Sequence, residues 1–311
     1  MPEWLIERGI GEVRAALVER GEILEARILP DGRARAGTVL QAKLSRVGPP
    51  CIAMADGIEY LMPKRPPAIS EGSSLTIEVS REKIDGPEAW KRPLAMPSDR
   101  SPSPPPPLEG RDLAFPSPRD ELGEAGWDEM IDEARTGSVG FSGGELRISV
   151  TPAMTLIDVD GILPIANLAM AGAKAAARAI RRHDVGGSIG IDLPTISGKE
   201  ARQAIGSAVD AILPPPFERT AVNAFGFIQI VRPRRRASLF ELAANRPSFE
   251  ARALLRRAAR SSGAIRLVAH PAVIAAIPPD WISQLAGQVG GAVDLRSDPT
   301  MAMSASYVET A

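Results

Sequence analysis

"MTLIDVDGI", residues 154–162, decides how this chain is read. An apolar run with the length of a core strand closes on Asp158, and a second carboxylate, Asp160, follows two positions later. "GSIGIDLP", residues 187–194, repeats the device with Asp192. Between them stands "IANLAMAGAKAAARAIRRHD", an Ala-rich helical stretch with arginines in its last turn and Gly186-Gly187 as its stop. Strand, helix, strand predicts a right-handed crossover, so the strands bearing Asp158 and Asp192 run parallel. Both acids then sit at carboxyl ends, where open α/β sheets put their sites.

Around this unit the pattern extends in both directions. "GELRISVTP" predicts a strand before it. Ser197, with Glu200 three positions on, has capping-box spacing for a second helix, and "TAVNAF" and "FIQIVR" predict closing strands. "RDELGEAGWDEMIDEAR" predicts an acidic helix, and the tail from Ser248 predicts helix, strand, helix, strand. At the other end, "EVRAALVERG" and "EILEARILPDG" predict a hairpin turning at residues 19–22. Short alternating segments bounded by Gly, Pro and Ser then suggest a small barrel of the OB type. Residues 97–118 hold so many prolines that an extended, mobile connector is expected, unable to continue any sheet. The expected organisation is N-terminal strands (1–35), barrel (36–95), connector (96–118), α/β domain (119–240) and a small C-terminal α/β domain (241–311), mixed α/β overall.

Composition narrows the function classes. The chain has 311 residues, 44% hydrophobic and 24% charged, ordinary for a globular protein of more than one domain. No apolar run approaches the roughly 20 residues that cross a bilayer, and the charged N-terminus does not read as a signal peptide. A cytoplasmic protein without a membrane partner is expected. Cys51 is the only cysteine, which excludes an internal disulfide and a cysteine-rich zinc site. The net charge of -1 hides an asymmetry: between Lys174 and Arg260 stand 16 Lys or Arg against 7 Asp or Glu. Arginine at that density, above all Arg232, Arg234, Arg235 and Arg236, suits a phosphate-bearing partner.

Two carboxylates held together repel, and a metal relieves the strain. Magnesium takes one or two protein carboxylates and leaves room for water and phosphate oxygens, so it can activate a water for attack at phosphorus. A strand-end aspartate is equally a helix N-cap. The residue pattern leaves both roles open. His183 and His270, the only histidines, have no serine–acid context, and no Gly-x-x-x-x-Gly-Lys loop is present.

"GGELRISVTPAMTLIDVDG", "ARAIRRHDVGGSIGIDL" and "NAFGFIQIVRPRRRASL", in this order and spacing, resemble the catalytic region of the bacterial ribonuclease E/G endoribonucleases. "EVRAALVERGEILEARI", "GTVLQAKLSRV" and "ISEGSSLTIEVSREKI" are similar to that family's N-terminal strands and inserted OB-fold RNA-binding domain, and "RLVAHPAVIAAI" and "AVDLRSDPTM" to its small terminal domain. The resemblance implies a ribonuclease H-like or DNase I-like catalytic region that cleaves single-stranded RNA, leaving 5′-phosphate ends, with Mg2+ on Asp158 and Asp192. Asp160 stands where the family has Asn and is a possible assistant at the catalytic site. Arg232 matches a basic position near the site. Lys43, Arg46 and Tyr60 are the expected RNA contacts of the barrel, Ala53 replacing a stacking aromatic.

The departures from the family also carry expectations. The two-cysteine zinc link is absent, so no structural zinc is expected, and a monomer or homodimer rather than a zinc-linked tetramer. Most of the 5′-monophosphate sensor is missing, with Arg135-Thr136-Gly137 read as a deletion scar. Ala224 replaces an arginine before Phe-Gly. The rival reading is an RNA-binding relative with little or no catalysis. A metal-dependent phosphoesterase acting on something other than RNA is a third.

Overall fold

In the computed structural model, which describes residues 1–64, 66, 69–85, 91–117 and 119–310, three hydrophobic cores are built by three sheets, a barrel and eight helices among the described residues. The chain begins with a meander: β1 (Glu3–Gly9), β2 (Glu12–Glu19) and β3 (Glu22–Pro30). The expected hairpin turns at Arg20 and Gly21, whose φ values of 53° and 81° suit a tight two-residue connection. Strand β1 has no clean alternation, its apolar Trp4-Leu5-Ile6 being followed directly by Glu7 and Arg8. Glu7 is buried in it, where it accepts from Arg14 at 2.6 Å and from Arg256 at 2.9 Å.

Next come β4 (Val39–Arg46), β5 (Cys51–Ala55), β6 (Ile58–Met62), β7 (Ser74–Arg81) and β8 (Leu94–Pro97), which form a closed five-stranded barrel in the order β4-β5-β6-β8-β7. The proline-rich segment departs from expectation. Its first residues complete the barrel, Ser103 bridges to Val39, and β9 (Arg111–Leu113) adds to the first sheet parallel to β1. Proline lacks an amide donor, so it tolerates edge positions of this kind but no central strand. Position 118, the last residue of the expected connector, lies outside the described residues.

The expected acidic helix is broken by Gly126, left-handed at φ 94°, into α1 (Glu121–Glu124) and α2 (Trp127–Thr136). Then follow β10 (Ser138–Phe141), β11 (Gly144–Val150), β12 (Thr155–Gly161), α3 (Ile165–Arg182), β13 (Gly187–Asp192), α4 (Lys199–Ile212), β14 (Glu218–Arg219) and β15 (Phe227–Arg232). The six-stranded sheet has the order β10-β11-β12-β13-β15-β14, with β12 and β13 the parallel pair. The helix α3 lies between this sheet and β3. Its many alanines and Gly172 allow close approach on several sides: a Cβ at Gly172 would come within 2.3 Å of Val159. Its stop is not Gly186-Gly187. Asp184 takes the left-handed position at φ 51°, while the Val185 amide donates to Ile180 O at 2.9 Å. Nor does Ser197 cap α4. The N-cap is Gly198 at φ 93°, and the capping box belongs to Ser238 and Glu241 at α5 (Leu239–Ala244). "TAVNAF" holds a turn rather than a strand.

The tail forms α6 (Arg246–Ala258), β16 (Ile265–Ala269), α7 (Pro271–Ala275), α8 (Pro279–Val289), β17 (Val293–Ser297) and β18 (Tyr307–Thr310). One helix was expected where α7 and α8 stand, and Pro278-Pro279 divides it. The third sheet, β17-β16-β18, shares its core with Ile10 of the N-terminal meander. No helix among the described residues is long and apolar enough to cross a membrane.

Candidate functional site

β12 alternates Thr155, Ile157 and Val159 inward against Leu156, Asp158 and Asp160 outward. The inward set joins the core beneath α3, while the outward set lies on an open face of the sheet. Asp158 is the register partner of Asp192 across the parallel β12–β13 pair. In-register residues of parallel strands project to the same face, with backbones about 4.8 Å apart. Both aspartates are exposed. Asp158 Oδ1 accepts from the Val159 amide at 3.0 Å. Neither caps a helix, since α3 has Pro164 at its N-cap without a side-chain bond and α4 has Gly198. The capping role left open by the residue pattern is thereby removed.

Asp160 stands apart from the pair. It lies one rung further along β12, roughly 7 Å on at strand rise, opposite Glu145. Arg147, cross-strand from Asp158, reaches it with Nε 3.8 Å from Oδ2, and sits 3.9 Å from Glu145. Among the described residues no group of three or more His, Cys, Asp or Glu could hold a metal ion. Asp160 therefore faces a cation instead of completing a three-carboxylate cluster.

On the other flank, Phe227 of β15 is the register partner of Asp192. It leaves a tight turn in which Asn223 Oδ1 accepts from the Phe225 and Phe227 amides, each at 2.9 Å. Gly226 closes that turn at φ 95°, and its carbonyl accepts from the Leu193 amide at 3.3 Å. The turn holds Phe225 78% exposed, and Ile162 beyond Asp160 is 93% exposed. Two exposed apolar side chains thus lie close in sequence to the strand ends that carry or flank the acids. Arg147, Asn223 and Phe225 were missed from sequence; Asn three residues before Gly was the available turn signal.

The arginine run lies elsewhere. Arg232 is the register partner of Gly187, five residues back along β13 from Asp192, roughly 17 Å away at strand rise. It alternates to the α3 side, where its Nη1 donates to Val185 O at 2.9 Å. Burial pushes the Arg232 guanidinium below its ordinary value, against the opposing pull of Asp184 and Glu25. Arg234 pairs with Glu241, and Arg236 with Asp184 at 2.8 Å. Arg235 is exposed. The expectation that Arg232 flanks the acids does not match this register: residues 232–236 form their own cluster at the opposite end of the sheet.

On the barrel, Lys43 and Arg46 are exposed, with Arg46 Nε donating to Pro50 O at 3.0 Å. Tyr60 is 2% exposed and belongs to the barrel core, so it cannot offer a ring to a base. Ala53 is its cross-strand partner and is also buried, so an aromatic there would meet the core rather than a nucleotide. Arg135 makes a bidentate pair with buried Glu250 at 2.7 and 2.8 Å, tying α2 to α6. His183 is fully buried, with Nδ1 donating to Ala179 O at 3.0 Å and Nε2 3.1 Å from Glu133. His270 caps α7, its Nδ1 accepting from the Ala272 amide at 3.1 Å. Compared with models of known protein families and with curated proteins, the sequence matches none.

Proposed function

We propose that the protein is a magnesium-dependent endoribonuclease that cleaves single-stranded RNA. The observation that carries the reading is the in-register placement of Asp158 and Asp192 at the carboxyl ends of two parallel strands, exposed and free of capping duty. A pair of adjacent strand-end carboxylates suits magnesium, which needs only one or two protein carboxylates and takes waters and substrate phosphate oxygens for the rest. Asp158 and Asp192 would hold the ion. When bound, it supplies polarisation of a phosphoryl oxygen and a more acidic water. Hydrolysis joins the water oxygen to phosphorus and breaks the bond from phosphorus to the 3′ oxygen, leaving 5′-phosphate and 3′-hydroxyl ends.

The surrounding side chains have separate duties. Arg147, opposite Asp158, neutralises part of the charge of Asp160 and Glu145. Phe225, displayed by the Asn223 turn, offers a ring to a base beside the reacting phosphate, a contact of about 1–3 kcal/mol. In this reading the barrel is an OB-type RNA-binding module using Lys43 and Arg46, and the six-stranded sheet is the ribonuclease H-like or DNase I-like catalytic layer. A second reading, an RNA-binding relative with little or no catalysis, draws on Ala224 beside Phe225, where the family resemblance sets an arginine. The readings separate when purified protein meets labelled AU-rich single-stranded RNA with magnesium or with EDTA. Magnesium-dependent cleavage is expected; binding without cleavage leaves the second reading.

A further inference from the structure

Six arginines meet around one cavity of 440 Å3 between β3, the C-terminal end of α3 and the segment after β15. They are Arg27, Arg181, Arg232, Arg234, Arg235 and Arg236, and only Glu25 and Asp184 line the cavity with negative charge. The volume lies within the roughly 300–1,000 Å3 of small-ligand sites. Pro214, Pro215 and Pro216 form an apolar wall. The acid pair lies at the opposite end of the six-stranded sheet and on its other face.

The charges are gathered without being balanced. Arg27 is spoken for: it bonds Glu25 at 3.1 Å and lies 4.3 Å over the ring of Trp4. Arg234 and Arg236 have Glu241 and Asp184. Arg232 has only backbone carbonyls. Arg181 and Arg235 make no side-chain hydrogen bond or ion pair among the described residues. The Nε–H groups of Arg181, Arg232, Arg234 and Arg236 are buried without an acceptor among the described residues. Like charges drawn out of water repel, and unpaired buried donors are costly. A phosphate answers both, since its oxygens accept from several guanidinium forks at once.

We infer that this cavity is a phosphate-binding subsite, distinct from the acid pair, that takes the phosphate of a nucleotide or of a nucleic-acid strand. It deepens the ribonuclease reading but is tested without cleavage, in EDTA, so that the two can fail separately. The probes are inorganic phosphate, by calorimetry against chloride at equal ionic strength, and a labelled oligouridylate, by fluorescence anisotropy. The variant is Arg181→Gln with Arg235→Gln, residues without partners to lose; Arg235→Gln alone guards against a folding defect. In the wild type, phosphate binds saturably, and the double variant weakens it about tenfold. If a strand is the source, oligouridylate also weakens, and its logarithmic salt slope shrinks by about 1.4, two contacts at 0.7 each. Weakened phosphate with unchanged oligouridylate assigns the site to a free phosphate or nucleotide. Phosphate and oligouridylate binding both unchanged in the double variant overturn the inference.

Discussion

Gly226 holds the turn that borders Asp192, and Gly226→Ala tests whether that turn is as tightly built as its geometry implies. The residue has φ 95°, and an added Cβ would lie 2.2 Å from Leu193 O and 2.9 Å from Pro194 O. Both contacts are with backbone, so no side chain can swing aside. The left-handed penalty alone costs about 1–2 kcal/mol. Breaking the hydrogen bond from the Leu193 amide to Gly226 O adds about 1 kcal/mol, for a total of about 2–3 kcal/mol. Gly21→Ala is the control, with φ 81° and nothing within 4 Å of its Cβ, so it carries the conformational penalty only. Urea unfolding followed by circular dichroism gives both losses. Gly226→Ala should exceed Gly21→Ala by at least about 1 kcal/mol and should also slow RNA cleavage, because Leu193 and Asp192 must shift with the turn. Equal losses, with cleavage untouched, would refute the reasoning.

Three further outcomes follow from the same structure. Glu7→Gln removes the carboxylate that serves buried Arg14 and Arg256 and should destabilise the fold by about 3–5 kcal/mol in urea unfolding. Asp120 titrates below its ordinary value: burial pushes it up, but the Arg256 hydrogen bond, the Gly123 amide and Arg260 together outweigh that. Its stabilisation is full above the unfolded value of about 3.9 and is lost as pH falls through the lower folded value. Asp120→Asn should therefore flatten acid melting curves below about pH 4. Light scattering should give a monomer or homodimer, and a stable tetramer would contradict the oligomeric expectation.

The quoted strand was legible because its alternation survives in "TLIDVD": the charges that looked misplaced at the end of a core strand belong to the open face. The same period-two reasoning puts Tyr60 on the buried face of β6 with Met62, and its expected role as an RNA contact came from the family resemblance instead. The Asp158–Asp192 pairing was legible because a parallel crossover leaves little choice of neighbours. The register of Arg232 was not, since β15 runs antiparallel and carries its end away from the acids. The two short edge strands β10 and β18 hold four residues each, too few for a periodic signal. Ser197 and Ser238 both precede a glutamate by three, but α4 starts one residue too late for Ser197, with Gly198 as its N-cap, whereas α5 starts directly after Ser238.

The most direct test is cleavage by Asp192→Asn and Asp158→Asn under single-turnover conditions with saturating magnesium, alongside RNA affinity by anisotropy. The pair acts as one unit, so either substitution should lower the rate by about 10³-fold or more, while RNA affinity stays close to that of the wild type. Cleavage that persists at the wild-type rate in both variants would contradict the central claim.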